Sequence, residues 1–192
     1  CPLSTTTVAE DDGLYVPLFT YRTGPFAPGG SKIANGVVAY FEMISKRDGG
    51  IEGRKLTWEE CEFGYKTDRG VECYERLKRN GSLISNPNST GLTYKLIPKA
   101  RVDEIPVLSM GYGMSGAADG RWFPWVFNFP TSYWSQASAF IQYVGDEMGG
   151  LENLKGKKIG LIFLESGYGR EPIKLFEALG ERFGYEFKHW AI

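Results

Sequence analysis

The sequence predicts an α/β fold built on a parallel sheet. Short apolar runs alternate with longer stretches whose apolar residues recur at helical spacing, in the order strand–helix–strand–helix–strand–helix–strand. Glycines fall where the helical stretches should stop, at Gly49-Gly50 and Gly81. The balance of 42% hydrophobic and 23% charged residues in 192 is that of an ordinary globular chain, long enough for one domain or for one lobe and part of another.

Residues 13–20, "GLYVPLFT", read as the first strand, followed by the turn-rich loop "YRTGPFAPGG". Ile33, Val37, Tyr40, Phe41 and Ile44 then keep helical spacing, with Ser31 as N-cap. "RKLTWEECE" reads as a strand and "TDRGVECYERLKRNG" as a helix capped by Thr67 or Asp68. "SLISN" is a short strand, "STGLTYKLIPKARVDE" a helix with Pro98 as a candidate kink, and "IPVLSM" a fourth strand. These strands, near 14–20, 54–61, 82–86 and 105–110, are expected to form one sheet. "GRWFPWVFNFP" packs five aromatic residues between Gly120 and Pro130 and reads as a crossing strand into a second α/β unit. There "TSYWSQASAFIQYVGDEMGG" is a helix, "KKIGLIFLE" an apolar strand expected to be buried, and "YEFKHW" the start of another strand after a loop and helix.

The formal net charge of -1 argues against nucleic acid as a main partner. No apolar stretch reaches the roughly 18–20 residues of a membrane span. Cys61 and Cys73 stand too far apart for a C-x-x-C pair, and His189 is the one histidine, so a His/Cys metal site or a histidine-based catalytic set is not expected. Gly111, Gly113 and Gly116 spell G-x-G-x-x-G after a strand. A dinucleotide site needs that loop to run into a helix and an acidic residue about 20 residues on. Here "AADGRWFPW" comes next, and the later region "SYWSQASAF" has no carboxylate, so no cofactor is expected. The glycines instead fit a loop lining a cleft at the carboxyl end of a strand.

The stretches "PLFTYRTGPFAPGG", "RDGGIEGRKLTWEECE", "TDRGVECYERLKRNG", "SNPNSTGLT", "IPVLSMGYG" and "KGKKIGLIFLESGYGRE" resemble the amino-terminal half of a type I periplasmic binding protein, the branched-chain-amino-acid kind that serves ABC importers. The resemblance runs from about residue 13 to the end. It implies a Rossmann-like lobe over 13–127 behind an extension at 1–12, and the start of a second lobe over 128–192. It further implies a small solute held between the lobes, a membrane ABC permease as partner, and a periplasmic or otherwise extracytoplasmic location. By the same likeness, first-lobe solute contacts come from the loops at 20–30, 86–90 and 111–113, and the second lobe adds Tyr168. Arg22 is the candidate anion anchor; Asn88, Ser89, Gly111, Tyr112 and Gly113 are the further candidates. Ser89 reads equally as a helix cap. Members that bind amino acids usually carry a threonine where this chain has Gly113. An amide, an aliphatic acid or an aromatic acid therefore fits as well as an amino acid.

Two further expectations depend on export. Cys61, at a strand end, and Cys73, in the following helix, are expected to form a disulfide in an oxidising compartment. Two small buried thiols are the alternative. Cys1 is compatible with a lipidated mature end, but Pro2 is an unusual successor and favours a processed or trimmed end. A sensor or accessory module of a membrane complex remains an alternative role, because a fold does not fix a function. An enzyme on the same sheet fits less well, for want of a usable histidine, metal cluster or glycine fingerprint.

Overall fold

The computed structural model describes residues 13–109 and 113–192. They form two compact units, one ending at Ile84 and one spanning Ser85–Ile192. Within the second unit, Thr90, Tyr94 and Ser115 hydrogen-bond to Tyr133 and Glu171.

In the first unit, β1 (Leu14–Tyr15) pairs in parallel with β3 (Leu56–Thr57), and β2 (Leu18–Thr20) with β4 (Glu60–Glu62). Both ladders keep one register, and Val16 N and Leu18 N still donate to Thr57 O and Glu59 O at 2.9 and 3.0 Å. Pro17 lies between the two pieces and has no amide to add to the ladder. The expected strands are therefore present but split. Between them runs α1 (Ala27–Arg47), which begins four residues before Ser31 and has Pro28 in its first turn. Proline suits that position because its fixed φ is already helical and the amide it lacks would have had no partner there. Ser31 is thus inside the helix, not its cap. Of the apolar residues expected to face inward, Val37, Phe41 and Ile44 are half-buried, while Ile33 and Tyr40 are exposed. The helix stops at Gly49-Gly50. Gly50 has φ +100, and a Cβ there would lie 2.0 Å from Arg54 O, so only glycine fits.

The helix α2 (Thr67–Leu77) buries Cys73, Tyr74 and Leu77, and Val71 is only half-buried. Cys73 thus faces inward. It is bonded to Cys61, with the alpha carbons 5.8 Å apart. Full burial of Tyr74, Leu77, Phe19 and Phe63 makes the core of this unit, worth about 1.5–3 kcal/mol for each large apolar side chain.

In the second unit the expected third strand shrinks to a single parallel bridge between Ser85 and Val107. The α3 helix (Thr90–Asp103) runs unbroken through Pro98 into β5 (Val107–Ser109), which pairs in parallel with β6 (Val126–Asn128) in the aromatic stretch. Among the described residues, the expected single sheet is therefore resolved as short two-stranded parallel ladders.

The chain continues through α4 (Tyr133–Glu147), β7 (Lys158–Phe163), α5 (Gly167–Arg170), α6 (Ile173–Phe183) and β8 (Glu186–Ala191). β7 and β8 pair in parallel along their whole length. Side chains alternate across them. Ile159, Leu161 and Phe187 pack on a core of Ala137, Ile141, Leu154, Phe176 and Tyr185 from α4, α6 and the adjoining turns. Ile162 and Trp190, on the opposite face, are 69% and 54% exposed. The strand expected to be buried is thus covered on one face, because α4 and α6 both pack on that face.

Candidate functional site

The amino end of α3 gathers several of the candidates. Asn88 takes a left-handed turn, φ +51, a conformation asparagine tolerates better than most residues. Ser89 follows in extended conformation and caps α3, its Oγ accepting from Leu92 N at 3.4 Å. The cap reading of Ser89 therefore holds, and its hydroxyl is engaged by the helix. Thr90 Oγ1 accepts from Gly113 N at 3.4 Å and shares a hydrogen bond of 2.7 Å with Tyr133 Oη. Gly113 has φ +95, and a Cβ there would meet Ser109 Oγ at 2.4 Å and Thr93 Cγ2 at 2.7 Å. Gly113 lets the backbone pass close over α3. It leads only to a 3-10 turn, Ser115–Ala118, and not to a helix long enough to hold a pyrophosphate. Gly111 and Tyr112 lie outside the described residues, as does Cys1.

The strand–turn after β7 supplies the second part. Ser166 caps α5, accepting from Gly169 N at 3.3 Å, which turns Tyr168 outward at 51% exposure. Its ring meets that of Tyr133 edge-on, with centroids 5.3 Å apart. Tyr133, Phe140, Phe163, Tyr168 and Phe176 line a cavity of about 280 Å³. Tyr133 therefore joins both parts, with its hydroxyl on Thr90 and its ring on Tyr168.

Glu171, which the sequence pattern did not single out, closes this arrangement. Its carboxylate accepts from Tyr94 Oη and, at 3.0 Å, from Ser115 N. Its carbonyl accepts from Trp134 Nε1 at 3.1 Å, and its own amide donates to Tyr168 O at 3.2 Å. Burial and the adjacent Glu171 carboxylate push the Tyr94 hydroxyl pKa well above the usual tyrosine value, so this group stays protonated and donates. The pairing joins residues 77 apart in sequence, and no local signal announces it.

Arg22 belongs to the first unit. Its Nε and Nη2 grip both oxygens of Glu60, and its Nη1 donates to Asn35 Oδ1 at 2.7 Å. Glu62 accepts from the amides of Arg22, Thr23 and Gly64 at 2.7–3.2 Å. The Arg22 hydrogen bonds hold the Glu60 carboxyl below the usual range, against a smaller effect of burial. Burial raises the pKa of Glu62, but the surrounding amides and hydroxyls outweigh it and leave a net depression. Arg22, the expected anion anchor, thus has its fork on a carboxylate of the same unit.

Among the described residues, no group of histidine, cysteine, aspartate and glutamate is placed to hold a metal ion, and no helix is long and apolar enough to cross a membrane. Residues 13–189 match the periplasmic binding protein family. The chain belongs to that family. A solved structure from the Pseudomonas fluorescens group, described as an ABC transporter permease, shares 37% identity at a TM-score of 0.84, covering 95% of this chain and 45% of that one. A fatty acid ABC transporter substrate-binding protein from Thermomonospora curvata shares 21% identity at 0.77, covering 95% and 45%. A branched-chain amino acid ABC transporter from Thermus thermophilus with bound valine shares 22% at 0.77, covering 94% and 46%. The last two likenesses show the fold alone. The chain spans under half the length of these structures. None of the curated proteins compared with the chain matches it.

Proposed function

We propose that this chain is part of an extracytoplasmic solute-binding protein that serves an ABC importer. Two lobes, one over 13–127 and one that begins at 128, close on a small solute. The observation that carries this reading is the junction at Tyr133. A hydroxyl and amide cluster at the amino end of α3 (Ser89, Thr90 and Gly113) meets an aromatic cavity bordered by Tyr168. The helix terminus favours a carboxylate or an amide oxygen. The rings favour an apolar body. A cavity of about 280 Å³ suits a small aliphatic or aromatic acid, an amide or an apolar amino acid. Relatives of the same fold are described with a fatty acid or with valine, which keeps both carboxylate classes in the reading. The Cys61–Cys73 bridge supports an oxidising compartment. Gly111 and Tyr112 are proposed to border the solute next to Gly113, and Asn88 to shape the turn beneath it.

A thermal-shift screen of the full-length protein against amino acids, amides, and aliphatic and aromatic acids tests the reading. A true solute at 100 times its Kd stabilises by about 2.7 kcal/mol. No shift with any class at millimolar concentration overturns it.

A further inference from the structure

We propose that Tyr94 and Glu171 are positioning residues that hold the Tyr168 turn in its solute-receiving place, so that this pair sets how tightly the solute is gripped. The inference rests on the solute-binding reading above, and it names residues that reading did not require. Tyr168 sits in a four-residue helical turn capped by Ser166, and it is half exposed. Both ends of that turn are held by α3. At one end Gly167 lies against the Tyr94 ring, where a Cβ would fall 3.2 Å from Cε2. At the other, Glu171 receives the Tyr94 hydroxyl and the Ser115 amide on its two carboxylate oxygens. The Glu171 amide returns to the Tyr168 carbonyl at 3.2 Å, so the carboxylate's place is passed directly to the tyrosine's backbone. Trp134 adds a third donor from α4, the helix that also carries Tyr133.

In the proposed lobe division, Tyr94 and Ser115 lie in the first lobe and Glu171 in the second. The pair then acts as a clasp made within the protein, without solute. A clasp of this kind raises solute affinity by enlarging the fraction of molecules already in the gripping arrangement. Its hydrogen bonds end on a carboxylate, the stronger class.

Hydrogen exchange on the full-length protein, run first without any solute, separates this idea from the solute reading. Tyr94→Phe keeps the ring against Gly167 and removes only the hydroxyl; Glu171→Gln keeps the side-chain shape and removes the charge. Each should speed exchange of the amides at 166–172 by about tenfold. The β7–β8 amides and the melting temperature should stay at wild-type values. The double variant should be no worse than either single one, because both break one interaction. In the second arm octanoate, benzoate, valine and valinamide serve as probes, and whichever binds should bind about tenfold more weakly to each variant. If none of the four probes binds, the solute-binding reading loses its support, and the exchange arm still decides the clasp. Unchanged exchange at 166–172 overturns the clasp. So does faster exchange spread over the whole chain with a lowered melting temperature, which is the mark of a structural role alone.

Discussion

Two turns in this protein follow the carboxyl ends of parallel strands and come to opposite ends. After β2, Arg22 and Thr23 fold back onto Glu60 and Glu62, and the donors of that corner meet carboxylates of β4. After β7, the turn at Ser166–Glu171 leaves Tyr168 half exposed beside a ring-lined cavity, and the Glu171 carboxylate serves to hold the turn. Charge thus fills the first corner, whereas at the second the Arg170–Glu165 pair stays off the cavity, whose lining is hydroxyls, amides and rings. For a solute binder this division has a physical basis. A fixed dipole or a ring grips a solute without a counter-charge of its own to displace, whereas an arginine already forked to a carboxylate must first break that pair.

The comparison is tested most strongly through the bridge that braces the first corner. The disulfide ties β4, which carries Glu60 and Glu62, to α2 across a separation of 12 residues. Replacing both cysteines by serine should lower stability by about 2–4 kcal/mol. Urea unfolding with and without reductant reads this directly. Reductant should have no effect on the double variant, and solute affinity measured in the still-folded protein should not move.

Tyr168→Ala and Arg22→Ala then separate the two turns. Loss of the Tyr168 ring and hydroxyl should weaken solute binding by about 1–3 kcal/mol with little change in stability, because the side chain is half exposed. Arg22→Ala should leave solute affinity unchanged and cost stability instead. Calorimetric titration with the solute found by the thermal screen checks both. A loss of affinity in Arg22→Ala of similar size would reverse the assignment of the two turns.

Much of this contrast was legible in the sequence, and the part that was not has a common cause. The helices, the glycine stops, the Cys61–Cys73 pair and the family likeness follow from local patterns or from spacing along the chain. The pairing of Arg22 was not legible because its partner, Glu60, is brought opposite only by the β2–β4 register, and the sequence reads 54–61 as one uninterrupted strand. Tyr94, Trp134 and Glu171 went unnoticed for the same reason. Each looks like an ordinary helix or loop residue until the second unit folds and joins α3 to the turn after β7. The apolar run of β7 showed that at least one face is buried, and apolarity alone cannot say that α4 and α6 leave the other face open.

A smaller effect sharpens the boundary between core and site in the second unit. Tyr185 is buried, and its hydroxyl donates to Phe176 O at 2.7 Å. Burial pushes its pKa up to about 12. Tyr185→Phe should cost about 1 kcal/mol of stability through the lost hydrogen bond and leave the Tyr168 site untouched. Because the folded pKa is raised, this group's contribution is complete below pH 10 and declines as the pH rises from there toward about 12. The wild-type protein should therefore lose stability above pH 10 more steeply than Tyr185→Phe does, as alkaline urea midpoints would show.

The smallest expected effect lies in the Arg22–Glu60 pair itself. Both side chains are about one-third exposed, so water screens the pair, and a double-mutant cycle of Arg22→Ala with Glu60→Ala should return about 0.5–1 kcal/mol of coupling. The sign of its pH dependence is fixed. The folded Glu60 pKa is depressed below its ordinary value of 4.5, chiefly by the hydrogen bonds from Arg22. The coupling is therefore fully present above that value and fades as the pH falls below it, because the carboxylate that Arg22 grips must take up a proton. Raising the salt concentration should shrink it at neutral pH for the same reason of exposure. Repeating the cycle at pH 7 and at pH 3 gives the decisive pair of numbers. Coupling that persists undiminished at pH 3 would mean that the carboxylate is not what holds Arg22, and the guanidinium would again be a candidate to meet a solute.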